Sequence, residues 1–452
     1  MPEPKRLNEL AREAVEWIRK TDPSVGAEVY LSRSRDRAIE LREGRLETAA
    51  ESVEAGLGLR LCSGGRMAFA YSGGLEPEGL PALFERAKDQ LPHLQADEHR
   101  VLPEPGAEAA PEDLDKTIVD ASMFQEPLSG PLPRLTEMNA RAMKKDSRIK
   151  KVLQIGYGEN FTETAIASTT GVETLETETY ANFGLGVMAG EADEVQVGGS
   201  SRMARHQKEL DWAKAVDEGV VRTVSLLGAK KEPSRKCAVL FDPWAAGELL
   251  DLLAGALSAD AVQRGKSLLK DRLGQRVASD LVTFIDDPLR PGGISSGRFD
   301  EEGVPTRTKT MVEKGVLRDY FFDTYTAHKG GRKSNGCAGR AGFKGMPGAT
   351  ASNFYLKPGK LSREQLIKDT DDGILVWEIM GMHTADPISG EMSVGVSGVA
   401  VVNGEITHGV RGAMLSAGIL QLLERVDAVA DDLTFYGSIA APTFRVADLT
   451  VA

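Results

Sequence analysis

Histidine, cysteine and aromatic side chains are scarce in this chain of 452 residues, which has 6 His, 3 Cys and 6% aromatics. Each scarcity excludes something. Cys62, Cys237 and Cys337 are odd in number and far apart, so they form no Cys-x-x-Cys metal pair and no obvious disulfide framework; a reducing compartment is expected. The histidines are His93, His99, His206, His328, His383 and His408, and no two have metal-ligand spacing on one helix. No apolar run approaches the roughly 20 residues needed to cross a bilayer. The opening MPEPKRLNELAREAVEW lacks the apolar core of a secretory signal, so a cytoplasmic protein with no membrane partner is expected. Positive charge is also short. Against 67 Asp and Glu stand 55 Lys and Arg, a net charge of -12, which weighs against a nucleic-acid partner. The basic clusters at 144–151 and 230–236 have no interleaved aromatics and read as a helix end and a linker.

What is present is typical of a globular protein: 41% hydrophobic and 27% charged residues,. The length predicts two or three domains. Leu7, Leu10, Ala11, Ala14, Val15 and Ile18 recur at helical spacing. Strands are expected at 27–32, 38–43 and from 46 onward, with hairpin turns at Glu43-Gly44 and Ser63-Gly64-Gly65. A second helix is expected at 78–91. LPEPGAEAAPEDLD then reads as a linker or exposed loop. A helix at 133–145, strand-like sequence at 152–197 and a helix at 206–227 come next. The last part has hairpins at 312–316 and at Asn403-Gly404, the latter a strong turn signal, then a helix at 415–429 and a strand at 443–451. The predicted fold class is α+β: an N-terminal meander-plus-helix domain and a C-terminal, largely antiparallel sheet domain. The predicted boundaries are 1–101 for the N-terminal domain, 102–116 for the linker, 117–232 for a central domain and 233–452 for the C-terminal domain.

Several short motifs invite a catalytic reading. Gly265-Lys266-Ser267 looks like the end of a phosphate-binding loop, but the glycine required five residues earlier is Asp260, and a helix-to-loop turn explains it better. Ser267-Leu268-Leu269-Lys270 matches Ser-x-x-Lys, in which lysine could activate serine, yet the accompanying Lys-Thr-Gly is missing. Gly184-Leu185-Gly186 opens no helix, which argues against a dinucleotide site. Glu248 and Asp251 could share a helix face as paired acids; a solvated face is the preferred reading. His383 lies in the turn-like Gly381-Met382-His383-Thr384-Ala385-Asp386-Pro387.

The richest segment is CAVLFDPWAAGELLDLLAGALSADAVQRGKS, at 237–267. A buried strand is stopped by Asp242-Pro243, and an apolar-periodic helix succeeds it. The segment resembles the start of the C-terminal domain of the TldD/PmbA family, peptidases once described as modulators of DNA gyrase. Further resemblance runs in order through Arg264-Gly265-Lys266-Ser267, Leu273 to Ser279, Asp286-Asp287-Pro288, Phe299 to Thr306, Gly390-Glu391-Met392-Ser393 and Gly437 to Thr443. In TldD-type members this helix carries His-Glu-x-x-x-His, two zinc ligands and a general base, and a cysteine near the C-terminus is a third ligand. Those helix places are held here by Asp251, Leu252 and Ala256, and no cysteine comes after Cys337.

The resemblance therefore implies the partner type, TldE/PmbA, with no catalytic residue and no metal ligand of its own. It further implies a non-catalytic subunit of a heterodimeric TldD/TldE-type zinc metallopeptidase that acts on unfolded or flexible peptides. Zinc is expected in the TldD-type partner, and this chain needs no cofactor. The alternatives are a homodimeric peptide-binding scaffold, or a hydrolase using Ser267 with Lys270 or a metal held by Asp251 and His383.

Overall fold

The computed structural model describes residues 6–106, 112–191 and 193–452. Of the linker expected at 102–116, residues 107–111 lie outside this description.

The first half of the chain builds one sheet. Helix α1 (Leu7–Thr21) buries Leu7, Ala11, Ala14, Val15 and Ile18 along one stripe,. Strands β1 (Gly26–Arg42), β2 (Arg45–Ser63) and β3 (Arg66–Gly73) form a meander, followed by helices α2 (Leu80–Gln90), α3 (Asp115–Ile118) and α4 (Leu132–Lys145). Strands β4 (Ile149–Ser168), β5 (Glu173–Glu191) and β6 (Glu194–Ala204) precede helix α5 (Trp212–Ser225). The strand order is β3-β2-β1-β4-β5-β6, antiparallel throughout. The N-terminal and central segments thus share a sheet, because β1 pairs with β4 from Glu28↔Ser168 to Arg42↔Gln154.

Period-2 alternation sends odd-numbered β1 residues to one face. There Val29 and Leu31 join the core under α1 and α2, while Ile39 and Leu41 join the core with α4 and α5. Even-numbered residues face the other way. Two strands were expected between 27 and 43, but a single strand runs through the polar 33–37. Its arginines are matched across the ladder, Arg33 with Glu163 at 2.6 Å, Arg35 with Glu51 at 2.7 Å and Arg37 with Glu159 at 3.4 Å, so the charges cross-brace the strand.

The second half packs two more six-stranded sheets around the largest core and adds a two-stranded one. Strand β7 (Arg235–Phe241) leads into helix α6 (Pro243–Ala256). Short strands β8 (Phe284–Asp286), β9 (Lys309–Glu313), β10 (Val316–Leu317), β11 (Ala338–Gly339), β12 (Gly348–Ala349) and β13 (Phe354–Leu356) come next. Then come β14 (Asp372–Met380), β15 (Glu391–Val402), β16 (Glu405–Gly418), β17 (Val426–Val429), β18 (Thr434–Phe435), β19 (Ile439–Ala441) and β20 (Phe444–Val451). One sheet runs β10-β9-β8-β13-β19-β18; the other runs β16-β15-β14-β7-β20-β17, with β16 also meeting β20; the two-stranded sheet is β11 with β12. The pairs β7–β14 and β13–β19 are parallel and the rest antiparallel.

The expected hairpins are present. Glu43-Gly44, Lys314-Gly315 and Asn403-Gly404 all adopt positive φ at both turn residues, which matches the twist of the strands they join. The helix expected at 415–429 is not. Residues to Gly418 continue β16, paired with β15 as far as Glu391↔Gly418, only Ile419–Glu424 is helical, and Val426–Val429 is a strand. Ladder pairing outweighs the helical preference of this leucine-rich stretch.

Candidate functional site

Helix α6 carries Asp251, Leu252 and Ala256, the positions that the sequence resemblance sets against the zinc motif. Its N-cap is Asp242, whose carboxylate accepts from the Trp244 N–H and is clamped by Arg222 at 2.6 Å and Arg363 at 3.1 Å. The stripe Leu249, Leu250, Leu253 and Ala256 points into the C-terminal core. Asp251 is exposed on the opposite side, Leu252 leans against that core and Ala256 is buried. These side chains do not fit zinc: leucine and alanine offer no donor, and a lone carboxylate is not a zinc site. Among the described residues, no cluster of three or more His, Cys, Asp or Glu could hold a metal ion.

Other motif residues have structural work. The Ser267 hydroxyl is buried, donates to the Ala256 carbonyl at 2.6 Å and accepts from the Leu269 N–H, while Lys270 is exposed. Serine is thus spent on tying the loop to the end of α6. Asp260 pairs with Arg264 at 2.9 Å, which leaves a carboxylate where a phosphate-binding loop needs glycine. His383 is exposed in a single turn between β14 and β15, and no hydrogen bond or ion pair joins it to Asp251. Glu248, expected on a solvated face, is half-buried instead; burial and nearby Glu378 push its carboxyl up. Ser267→Ala should lower stability by about 1–3 kcal/mol, read as a shifted urea midpoint, and leave the peptidase activity of this chain mixed with a TldD-type subunit nearly intact.

Two concave features lie on the even-numbered face of the first sheet. The larger is a groove of about 660 Å³. Its floor is made mostly of small residues in register, Ala50, Ala38, Gly158 and Asn182 in one row and Thr48, Glu40, Gly156 and Gly184 in the next. Beside it, β2 carries an open edge. The neighbour β3 pairs only from Gly56 onward, so residues 45–54 have β1 on one side and, among the described residues, no strand on the other.

The second feature is a cavity of about 290 Å³ where the same sheet face meets the C-terminal half. From the sheet come Thr164, Glu176 and Glu178; from the C-terminal half come Asp300, Glu301 and Arg340. Glu176 accepts from the Arg298 and Phe299 N–H groups at 2.7 and 3.1 Å. Burial nevertheless pushes its carboxyl up to about 8, against those two hydrogen bonds. Asp300 accepts three backbone N–H groups, from Glu302, Val304 and Ala338. Burial and the neighbouring Glu302 raise it to about 7. Behind the cavity, Arg60 and Arg340 hold Glu28, and Arg60 also holds Glu302 at 2.8 Å.

Glu176 gives a pH prediction. Its folded value lies above the usual carboxylate range, so the folded state binds the extra proton. Stability from this group is complete below about pH 4.5 and is lost as pH rises through about 8,. Glu176→Gln should leave acid stability unchanged and raise alkaline stability, by an upper limit of about 5 kcal/mol for a shift of this size. Melting temperatures at pH 5 and pH 9 check this; an equal effect at both would sink it.

This arrangement of three segments is a known one. Models of the PmbA/TldA metallopeptidase match domain 1 at residues 27–91, the central domain at 124–227 and the C-terminal domain at 234–452. The chain belongs to the TldD/PmbA family. It is 25% identical to the metalloprotease PmbA of Escherichia coli O157:H7 over 99% of this chain and 96% of that protein. A metalloprotease of Methanocaldococcus jannaschii is 36% identical, and that match spans about half of each chain, 47% of both. Among solved structures, a Thermotoga maritima protein described as a DNA-gyrase modulator superposes with TM-score 0.90 at 26% identity, over 99% of this chain and 100% of that one. TldE of Thermococcus kodakarensis gives TM-score 0.90 at 22% identity, over 98% and 100%, a likeness of fold. No helix among the described residues is long and apolar enough to cross a membrane.

The sequence pointed to helix α6 and to the motif from Phe299 to Thr306, but not to the cavity. Its walls come from segments more than a hundred residues apart, so only the separate presence of Asp300-Glu301-Glu302 hinted at it.

Proposed function

We propose that this chain is the non-catalytic subunit of a TldD/TldE-type zinc metallopeptidase that acts on unfolded or flexible peptides. One observation supports the reading: Asp251, Leu252 and Ala256, which the resemblance sets against the zinc motif, lie on helix α6 as an exposed acid and two apolar side chains with no donor set for zinc. A chain built this way contributes by binding. The open edge of β2 at 45–54 supports that role, because an extended peptide can add to it through backbone hydrogen bonds whatever its sequence. The small-residue groove alongside leaves room for the peptide's side chains. Zinc then belongs to the TldD-type partner.

Co-expression with a TldD-type subunit bearing an intact His-Glu-x-x-x-His tests this. The complex should carry about one zinc per heterodimer and cleave unfolded peptide in a chelator-sensitive way. The purified chain alone should hold no stoichiometric zinc and cleave nothing. Tightly bound zinc in the isolated chain, or cleavage by it, would overturn the reading.

A further inference from the structure

The cavity between the first sheet and the C-terminal half is lined by two oppositely charged side chains, Arg340 and Glu301, that attract each other through space and still keep hydrogen-bonding atoms without a partner among the described residues. Arg340 has a fully buried side chain. Its Nη2 bonds Glu28 at 2.9 Å, and its guanidinium lies 4.4 Å over the Tyr30 ring. Among the described residues, no acceptor lies within hydrogen-bond distance of its Nε or Nη1. Glu301 lines the same cavity beside the Tyr30 hydroxyl; burial raises its carboxyl against the pull of Arg340, and among the described residues its buried Oε2 has no donor. Buried polar atoms of this kind demand hydrogen-bond partners. A separated donor and acceptor that share one anchor, Tyr30, suit a molecule carrying both charges.

We propose that this cavity binds a small zwitterion, a free α-amino acid or a dipeptide, with its carboxylate on Arg340 and its ammonium on Glu301. Size sets the class. About 290 Å³ sits at the lower end of ordinary ligand cavities, roughly 300–1,000 Å³. The remaining walls suit a peptide unit, since Thr164 offers a hydroxyl and Gly339 exposes backbone. The approach is built in as well. Glu176 and Glu178 in the cavity and Tyr180, Asn182 and Gly184 in the groove alternate along one face of β5, so groove and cavity lie on the same face of one strand. The inference stands on the charges in the cavity and holds whether or not a TldD-type partner exists.

Titration calorimetry of the full chain with L-alanyl-L-alanine tests it. One dipeptide should bind per chain, saturably, at ligand concentrations below about 10 mM. Glu301→Gln keeps the shape and the Tyr30 contact; it should weaken binding about tenfold or more, the size expected for losing a charged hydrogen bond. N-acetylation of the dipeptide removes the ammonium. It should weaken binding to the wild-type chain by a similar factor and bind Glu301→Gln no worse than wild type. Arg340→Lys should weaken both ligands, and N-acetyl-alanine amide, with neither charge, should not bind. No saturable binding, as for a cavity that holds only water, would overturn the proposal. So would binding that Glu301→Gln and N-acetylation leave unchanged.

Discussion

Leu253→Asp should prevent the chain from folding, while Asp251→Ala, two residues away on the same helix, should change almost nothing. Leu253 is 1% exposed. With Leu249, Leu250 and Ala256 it forms the stripe of α6 that closes the core shared by Phe241, Phe284 and Met311. Truncating such a leucine to alanine costs about 2–5 kcal/mol. A carboxylate at the same place adds the desolvation of a charge with no cation in this apolar stripe. The total is comparable to the whole stability of an ordinary domain, roughly 5–15 kcal/mol. The variant should therefore accumulate as insoluble protein, or show no cooperative melting transition if recovered. Asp251 is exposed, and its removal should stay within about 0.5 kcal/mol. Soluble Leu253→Asp with a native-like melt would mean that α6 does not seal the core as described.

The same helix shows what the sequence could convey. Its apolar spacing placed it, and Asp242-Pro243 marked its start, because helical periodicity and N-terminal chemistry are local signals. The turns at Glu43-Gly44 and Asn403-Gly404 were legible for the same reason. The stretch at 415–429 misled, since its leucines suit a helix in isolation and the partner strand β15 cannot be read from it. Asp300-Glu301-Glu302 is the more instructive case. As text, it is three like charges in a row. In the fold, Asp300 caps a turn through three N–H groups, Glu301 enters the cavity, and Glu302 reaches Arg60. Partners 242 and 312 residues apart, Arg60 with Glu302 and Glu28 with Arg340, leave no local trace.

Those partners carry the second large effect. Arg60, Glu28, Glu302 and Arg340 are a balanced set of two cations and two carboxylates, each with a side chain no more than 3% exposed. They join the first sheet to the C-terminal half. Arg60 grips Glu28 through both Nε and Nη2, and its Nη1 meets Glu302 at 2.8 Å. Burial alone would raise the Glu28 carboxyl, but Arg340 and Arg60 more than offset it and hold it below the usual carboxylate range. Arg60→Met keeps apolar volume and strands a buried negative charge, which costs about 3–5 kcal/mol. Adding Glu302→Gln removes the carboxylate so stranded while keeping an acceptor for the Thr324 N–H, and Glu28 remains paired with Arg340. The double variant should regain more than half of the loss, a coupling that urea denaturation of all four proteins would expose. The effect also depends on pH in a fixed direction. Glu28 has a lowered folded value, so its contribution is present above the ordinary glutamate range and fades as pH falls through the folded value. The gap between wild type and Arg60→Met should therefore be wide at pH 7 and narrow in acid. A single variant that loses less than about 1 kcal/mol at pH 7, or a double variant that merely adds the two losses, would show that these charges do not join the two halves.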